Sequence, residues 1–555
     1  MPETIKASEQ NIDRVFSNDY LFEIPVYQRP YAWDTEQVDD LLDDLLYAMR
    51  RPGDEPYFLG SIVLIKGDDA DSQVVDGQQR LTTLTMMLCV LRDLSEGQIK
   101  LDLDRYIRQQ GSVIAGTKEV VRFKLRDLDR NFFYTNVQSD GGVSTLLENP
   151  PHPGTDSQER ILENAKYLHE KLSALDADER TSLAAFVIQH CYLVVVSTSD
   201  MTSAYRIFSV MNDRGLDLSV TDILKAEIIG ELPNDAEQRI YADKWEDIEQ
   251  ELGRDSFGSL FAHIRSVYAK AKQRRGLQEE FREHVLKQHA AIDFVDSVLD
   301  QYDDAYKTVL GLPADGINSA QTTGRYLAHL RRLDNDDWIP PAMSFIHRYR
   351  QNPGASSRFT KDLERLAYGL FIRRADINER IRRYGEVLNA IEQGEAIWQE
   401  DGPLQLTPNE KNQIKEILAG PIYTLPRVPR PLLLRLDSLL ADAGATYEHS
   451  IISIEHVIPQ NPSDGSLWLD WFPDEEVRAH WTHRLANLVL LSHRKNTSAS
   501  NWEFDRKKTQ YFLRGGTSPF ALTTQVVAEN KWGPDVLERR QSDLIDRLNA
   551  EWRLD

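Results

Sequence analysis

Glu455 and His456 stand side by side in SIEHVIPQNP, residues 453–462, at the end of a β-type run and just before Pro459. Burying a carboxylate and an imidazole together is costly unless something compensates for them. A metal ion and a phosphodiester would compensate, because an acid can hold a hard cation and a neutral imidazole can take a proton from water near pH 7. Downstream, HRLANLVLLSHRKNTSASNWEFDRKK, residues 483–508, brings Asn487 inside an apolar run, followed by Asn496 and Asn501. An amide within an apolar strand must find partners, and Asn487 can find them in the backbone of the loop after His456. Arg494, Lys495, Arg506, Lys507 and Lys508 supply local positive charge suited to a DNA backbone.

A second constellation lies near the other end. In VVDGQQRLTTL, residues 74–84, a strand ends at Val75, an Asp-Gly turn follows, and a helix begins at about Gln78. The first amides of a helix lack backbone partners and carry partial positive charge. Gly77 lets another group approach closely, and Arg80 adds a forked cation, so the stretch from Asp76 through Gln78, Gln79 and Arg80 to Thr83 is a candidate phosphate cradle. Asp76 can hold a ribose hydroxyl, a metal or Arg80 itself. The competing reading is a strand–turn–helix joined by an Arg–Asp ion pair. Asn212, Arg214 and Lys225, in FSVMNDRGLDLSVTDILK, can face the same cradle or form a polar helix corner. In IPVYQRPYAW, residues 24–33, Tyr27, Gln28, Arg29 and Tyr31 interleave a cation with aromatics, a pattern that stacks on bases and reads DNA or its modification. The same aromatics beside prolines also suit turn packing.

Three other features carry less. GSVIAGTK, residues 111–118, has P-loop glycine spacing but places Lys after Thr, so it cannot reach the β and γ phosphates. His480 and His483 share a helical face and are assigned no metal. The Arg-rich run 371–387 reads as a solvated or carboxylate-paired helix face.

The elements that position these residues follow from periodicity. Residues 57–65, 73–76, 120–125 and 191–199 read as strands, and 35–50 as a helix capped by Thr35. From about 233 to 445 the pattern is nearly all helical. The chain therefore reads as α+β and multidomain: 1–232 an α/β domain, 233–445 a helical linker, and 446–555 a small C-terminal domain. A net charge of −23 excludes a protein coated in basic surface, so any DNA groove must be local and its non-specific affinity salt-sensitive. Two cysteines in apolar surroundings, Cys89 and Cys191, suit a reducing cytoplasm and exclude a Cys-based zinc finger. No apolar run approaches the roughly 20 residues of a membrane span.

IPVYQRPYAW, FLGSIVL, VVDGQQRLTTL and FSVMNDRGLDLSVTDILK, in this order, resemble the ParB-like domain of GmrS-type proteins of modification-dependent (type IV) restriction and phage defence. That resemblance implies nucleotide binding or hydrolysis through DGQQR and a role in sensing modified DNA. The C-terminal stretch resembles the HNH, or ββα-metal, fold of the GmrD type. Carried over, the resemblance implies Glu455 as metal ligand, His456 as general base, Asn487 as the structural Asn and Asn496 as the second ligand, with His493 a competitor and Asn501 a lesser candidate. Asn496 is a weak ligand, so tight metal binding is expected only with substrate. The expected cofactors are Mg²⁺ or Mn²⁺ and an NTP, whether GTP, ATP, UTP or CTP. The expected partner is double-stranded, modified phage DNA, in the cytoplasm, with a homo-oligomer left open. The rival expectations are a nucleotide-dependent DNA clamp with an inactive HNH end, and an RNase or toxin of abortive infection.

Overall fold

The computed structural model describes the chain apart from residues 1–4, 52–54, 112, 113, 115, 117, 200–202, 205, 206, 208–219, 315, 316, 318, 319, 442–446, 448, 450, 493–500 and 514–516. The side chains of residues 235 and 395 are likewise outside the description. The chain divides into two compact units, Met1–Glu251 and Leu252–Asp555.

The first unit is built on a mixed sheet. Its strands are β1 (Lys6–Asn11), β2 (Leu21–Glu23), β3 (Tyr57–Lys66), β4 (Asp71–Asp76), β7 (Phe123–Lys124) and β8 (Cys191–Thr198), while β5 (Arg108–Gln109) and β6 (Val120–Val121) form a separate ribbon. The sheet order is β1-β8-β3-β4-β2-β7. β3 runs antiparallel to β4 and parallel to β8. The stretch 120–125 does not form one strand as its apolar run suggests. It splits between the ribbon and the sheet around Arg122, whose guanidinium reaches back to Arg105 and Asn18.

Helix Gln78–Asp93 follows β4 directly and is buried along nearly its whole length. Its sequence, QQRLTTLTMMLCVLRD, is apolar on more than one face, as a core helix requires. Buried hydroxyls within it return to their own helix: Thr82, Thr83 and Thr85 donate to the carbonyls of Gln78, Gln79 and Leu81 at 2.7–2.9 Å. Cys89 and Cys191 are buried free thiols, both pushed up to about 12 by burial. Helix Thr35–Met49 is capped by Asp34, in a capping box with Gln37, so Thr35 is the first helical residue and not the cap.

The observed division differs from boundaries at 232 and 445. Helix Asp235–Leu252 belongs to the first unit because Glu246 accepts from Lys225 at 2.7 Å and from Arg126 at 2.5 Å. The last hundred residues join the helical region through buried polar contacts. Arg435 bridges Glu364 and Glu551 at 2.7 Å each, and Asp437 accepts from the Leu522 amide at 2.7 Å. The Arg-rich helix is carboxylate-paired: Arg373 with Glu379 and Glu410, Arg380 with Asp337, and Arg383 with Glu410. No described helix is long and apolar enough to cross a membrane.

Gly77 is the hinge between β4 and the core helix. It sits at φ +89°, and a Cβ there would meet Ile62 Cγ2 at 2.5 Å. Gly77→Ala is expected to cost about 1–3 kcal/mol through strain and overpacking. The check is urea unfolding followed by the tryptophans of the first unit; an unchanged midpoint contradicts the tight approach.

Candidate active site

β9 (Ser453–His456) and β10 (Leu488–Leu491) pair antiparallel, with His456 opposite Leu488 and Glu455 opposite Val489. Both Glu455 and His456 are 3% exposed. The turn after His456 enters a cluster of Val457, Ile458, Trp468, Phe504, Phe512 and Trp532, so its backbone polar groups lose water and need partners.

Asn487 supplies them from the turn before β10. Its Oδ1 accepts from the Ile458 amide at 2.7 Å and from Trp532 Nε1 at 3.3 Å. Its Nδ2 donates to the carbonyls of Thr482 at 2.9 Å and Ile458 at 3.3 Å. Its own carbonyl accepts from Val457 N at 2.9 Å. Lys507 supplies the rest, donating to the carbonyls of His456 at 2.8 Å and Val457 at 2.9 Å. Lys507 therefore does not line a DNA backbone. It is 0% exposed, and burial pushes its ammonium down to about 8, opposed by the Glu455 carboxylate.

His456 is enclosed on both ring nitrogens. Nε2 lies 3.2 Å from Nδ1 of His483, and Nδ1 lies 3.2 Å from Nε2 of Gln460. The Tyr423 ring meets His456 edge-on at 4.2 Å and stacks on His483 at 5.7 Å. Burial holds His483 below its usual range, which favours the neutral ring. Glu455 accepts from the Tyr511 hydroxyl at 3.1 Å. Tyr423, Gln460, His483 and Tyr511 were not expected as site residues. The spacing of Lys507 and Tyr511, four apart in a helical stretch, was a usable signal; nothing local pointed to Tyr423.

Among the described residues no group of three His, Cys, Asp or Glu side chains forms a metal cage. Among the described residues, Glu455, the chain neighbour of His456, offers a buried hard oxygen. That donor set fits a cation that takes its other ligands from phosphate and water. Asn496, Arg494, Lys495 and His493 lie outside the described residues, and Asn501 is exposed. Arg506 is exposed and stacks on Trp502 at 3.8 Å. Lys508 is half-buried and donates to the Glu529 carbonyl at 2.8 Å, so its ammonium is already engaged.

In the first unit the aromatic motif and DGQQR form one assembly. Gln79 Oε1 accepts from the amides of Ala32 at 2.8 Å and Trp33 at 3.2 Å, and its Nε2 donates to the Pro30 carbonyl at 3.1 Å. The Tyr31 and Thr83 hydroxyls lie 2.8 Å apart, and Asn164 donates to Tyr31 at 3.1 Å. Gln28 donates to the Val75 carbonyl at 3.1 Å. Tyr27, Gln28 and Tyr31 are thus buried and do not present a stacking face for DNA. Gln79 and Thr83 spend their side chains on this packing, and Gln78 is buried. Asn212 and Arg214 lie outside the described residues. Lys225 is buried against Glu246; there burial raises the carboxyl, but Lys225 and Arg126 more than offset it and hold it low.

The cradle that remains is Asp76, Gly77, Arg80 and the half-buried Arg29. Arg80 lies against Gly60, where a Cβ would come within 3.2 Å of the guanidinium, and donates to the Ser61 carbonyl at 3.3 Å. Burial raises the Asp76 carboxyl, against the pull of the Gly77 amide, Arg80 and Arg29. Burial lowers Arg80, with Asp76 opposing. Each is a charge held in a dry place, a common mark of a binding site.

Two family models match the chain. The N-terminal domain of GmrSD restriction endonucleases matches residues 11–229, and the C-terminal domain of GmrSD restriction endonucleases matches residues 411–547. The second span includes Tyr423 as well as the β9–β10 hairpin. No curated protein matches the chain.

Lys507→Met keeps the length of the side chain and strips two buried carbonyls of their donor, an expected loss of about 2–4 kcal/mol. The pH dependence has a definite sign. Between about pH 8 and the unfolded value near 10.5, the unfolded chain holds more protons at Lys507 than the folded one. Wild type therefore gains stability relative to Lys507→Met as pH rises through that window. Paired melts at pH 7.5 and 9.5 check it; a constant difference places the ammonium in water.

Proposed function

The chain belongs to the GmrSD restriction endonuclease family, and on that premise we propose that it hydrolyses the phosphodiesters of modified foreign DNA at an HNH-type site under the control of a bound nucleotide. The observation that carries the reading is the buried Glu455–His456 pair on a hairpin whose turn is locked by Asn487 and Lys507. A base that must meet a water and a phosphorus in line needs a fixed backbone, since small misplacements are costly in rate.

Glu455 is the residue that would hold a divalent cation, Mg²⁺ or Mn²⁺, with Asn496 the expected second ligand. Such a cation, when bound, neutralises charge on the scissile phosphate and on the leaving oxygen. His456 accepts a proton from the attacking water. The oxygen adds to phosphorus in line, and the sugar oxygen opposite departs with its electron pair, leaving a 5′ phosphate on the product. Asn487 keeps the turn in place during this exchange. Arg506, exposed near the site, can meet a backbone phosphate; Lys508, already hydrogen-bonded, is less able to.

The nucleotide belongs at Asp76, Gly77 and Arg80, where amides at the start of the core helix and a forked cation suit phosphates. That the nucleotide gates cleavage is supported by the hazard of an ungated nuclease to its own cell. Modified phage DNA is the substrate class implied by membership in a family of modification-dependent restriction.

Two outcomes are expected. With Mg²⁺ and NTP, the full chain cuts modified phage DNA; EDTA abolishes cutting, and His456→Ala lowers the rate about 10²–10⁴-fold. Cutting by His456→Ala at the wild-type rate removes the base from the mechanism. Arg80→Gln weakens binding of a fluorescent NTP about 10–100-fold, the equivalent of one charged hydrogen-bonding partner. Equal affinity in wild type and variant moves the nucleotide elsewhere.

A further inference from the structure

His483, which the sequence assigns no metal, has its ring against His456. It caps the C-terminus of helix Glu475–Thr482, two residues before the turn that ends in Asn487. Its ring stacks on Tyr423 at an interplanar angle of 11°, and its carbonyl accepts from the Tyr423 amide at 3.0 Å. The imidazole is therefore fixed from two sides, by its own backbone and by an aromatic plate.

The contacts of His456 favour one placement of its proton. A neutral imidazole has one N–H and one lone pair. The group facing Nδ1 is the amide nitrogen of Gln460, at 3.2 Å, which can only donate. Nδ1 then carries the lone pair, and the proton sits on Nε2. That proton points at Nδ1 of His483, 3.2 Å away, which must accept it. The Gln460 side chain is exposed, so a water can replace its amide at little cost. The lone pair that Gln460 now occupies is the one a nucleophilic water would meet.

We propose that His483 is a positioning residue for strand cleavage: by accepting the Nε2–H of His456 at its own Nδ1, it fixes the tautomer and ring orientation that leave Nδ1 of His456 as the base. In the step itself an O–H bond of water breaks and its proton passes to Nδ1 of His456. The water oxygen bonds to phosphorus as the bond to the leaving sugar oxygen breaks. His456 becomes an imidazolium whose Nε2–H is still held by His483. The assignment rests on the endonuclease reading above.

Two variants separate this role from simple packing. His483→Phe keeps a ring on Tyr423 but has no acceptor. His483→Asn loses the ring but can place its Oδ1 near the position of Nδ1. The expected result is a kcat about 10²-fold or more below wild type for His483→Phe, with KM within about threefold, and His483→Asn restored to within about tenfold of wild type, the scale set by general-base catalysis. A structural role alone would give the opposite order, since the phenylalanine preserves the stack. A second readout needs no activity. In full-length protein labelled with ¹⁵N-histidine, and with His456 assigned by its loss in His456→Gln, His456 should show the Nε2–H tautomer in wild type and a mixture in His483→Phe. An Nδ1–H tautomer in wild type, or unchanged cleavage by His483→Phe, overturns the proposal. If wild type cuts no DNA, the nuclease reading fails, and the ¹⁵N spectrum still decides whether His483 sets the tautomer.

Discussion

The buried turn after His456 is the constraint on which the C-terminal site depends. A strand end pushed into a core of tryptophans and phenylalanines cannot leave its amides and carbonyls unpaired. Asn487 closes the amide and carbonyl of Ile458, and Lys507 closes the carbonyls of His456 and Val457. These side chains come from points 29 and 51 residues along the chain. The position of the imidazole is thus set by long-range contacts and not by the hairpin alone. A lysine suits this use because it brings several donors on a flexible stem, and its depressed pKa is the cost of putting it there.

The first unit solves a similar problem with neutral groups. Gln79 ties three backbone positions of the loop 30–33 to the start of the core helix, and Tyr31, Thr83 and Asn164 complete the network. Gln79 of DGQQR is therefore part of the scaffold around Asp76, Gly77 and Arg80. Arg126 extends the connection, donating to the Gln28 carbonyl at 3.3 Å and to Glu246 at 2.5 Å. Glu246 also receives Lys225, so the aromatic loop, the cradle and the helix Val220–Gly230 share one chain of polar contacts. A ligand that draws on Arg80 or Asp76 would act on a network already linked to all three motifs.

Much of this was legible in the sequence, and the limits have physical causes. The turn at Gly77, the burial of Cys89 and the clamp by Asn487 follow from local rules: a glycine at a sharp strand-to-helix corner, thiols in apolar runs, an amide in an apolar strand. The order of the motifs also led to the family that the matches to 11–229 and 411–547 establish. The errors concern side chains whose type suits both surface and interior. Lys507 reads as a DNA-backbone cation because charge is normally solvated, and only the fold reveals two bare carbonyls beneath it. Tyr27, Gln28 and Tyr31 read as a nucleic-acid face because aromatics near arginine stack on bases; here they fill the core instead. The 120–125 run divides because Arg122 reaches the Arg105 carbonyl, a contact that no periodicity encodes. The role of His483 was not legible because its partners, Tyr423 and His456, lie 60 and 27 residues away in the sequence.

The most direct test of the central claim is where a cation binds when DNA is present. Crystals of the His456→Gln full chain with a modified DNA duplex and Mn²⁺, measured at an X-ray energy where manganese scatters anomalously, would locate it. An anomalous peak about 2.1 Å from a Glu455 oxygen and shared with a backbone phosphate is the expected result. A DNA-bound complex with Glu455 still hydrogen-bonded to Tyr511, and manganese only at sites remote from it, would contradict a metal-assisted phosphodiesterase centre on this hairpin.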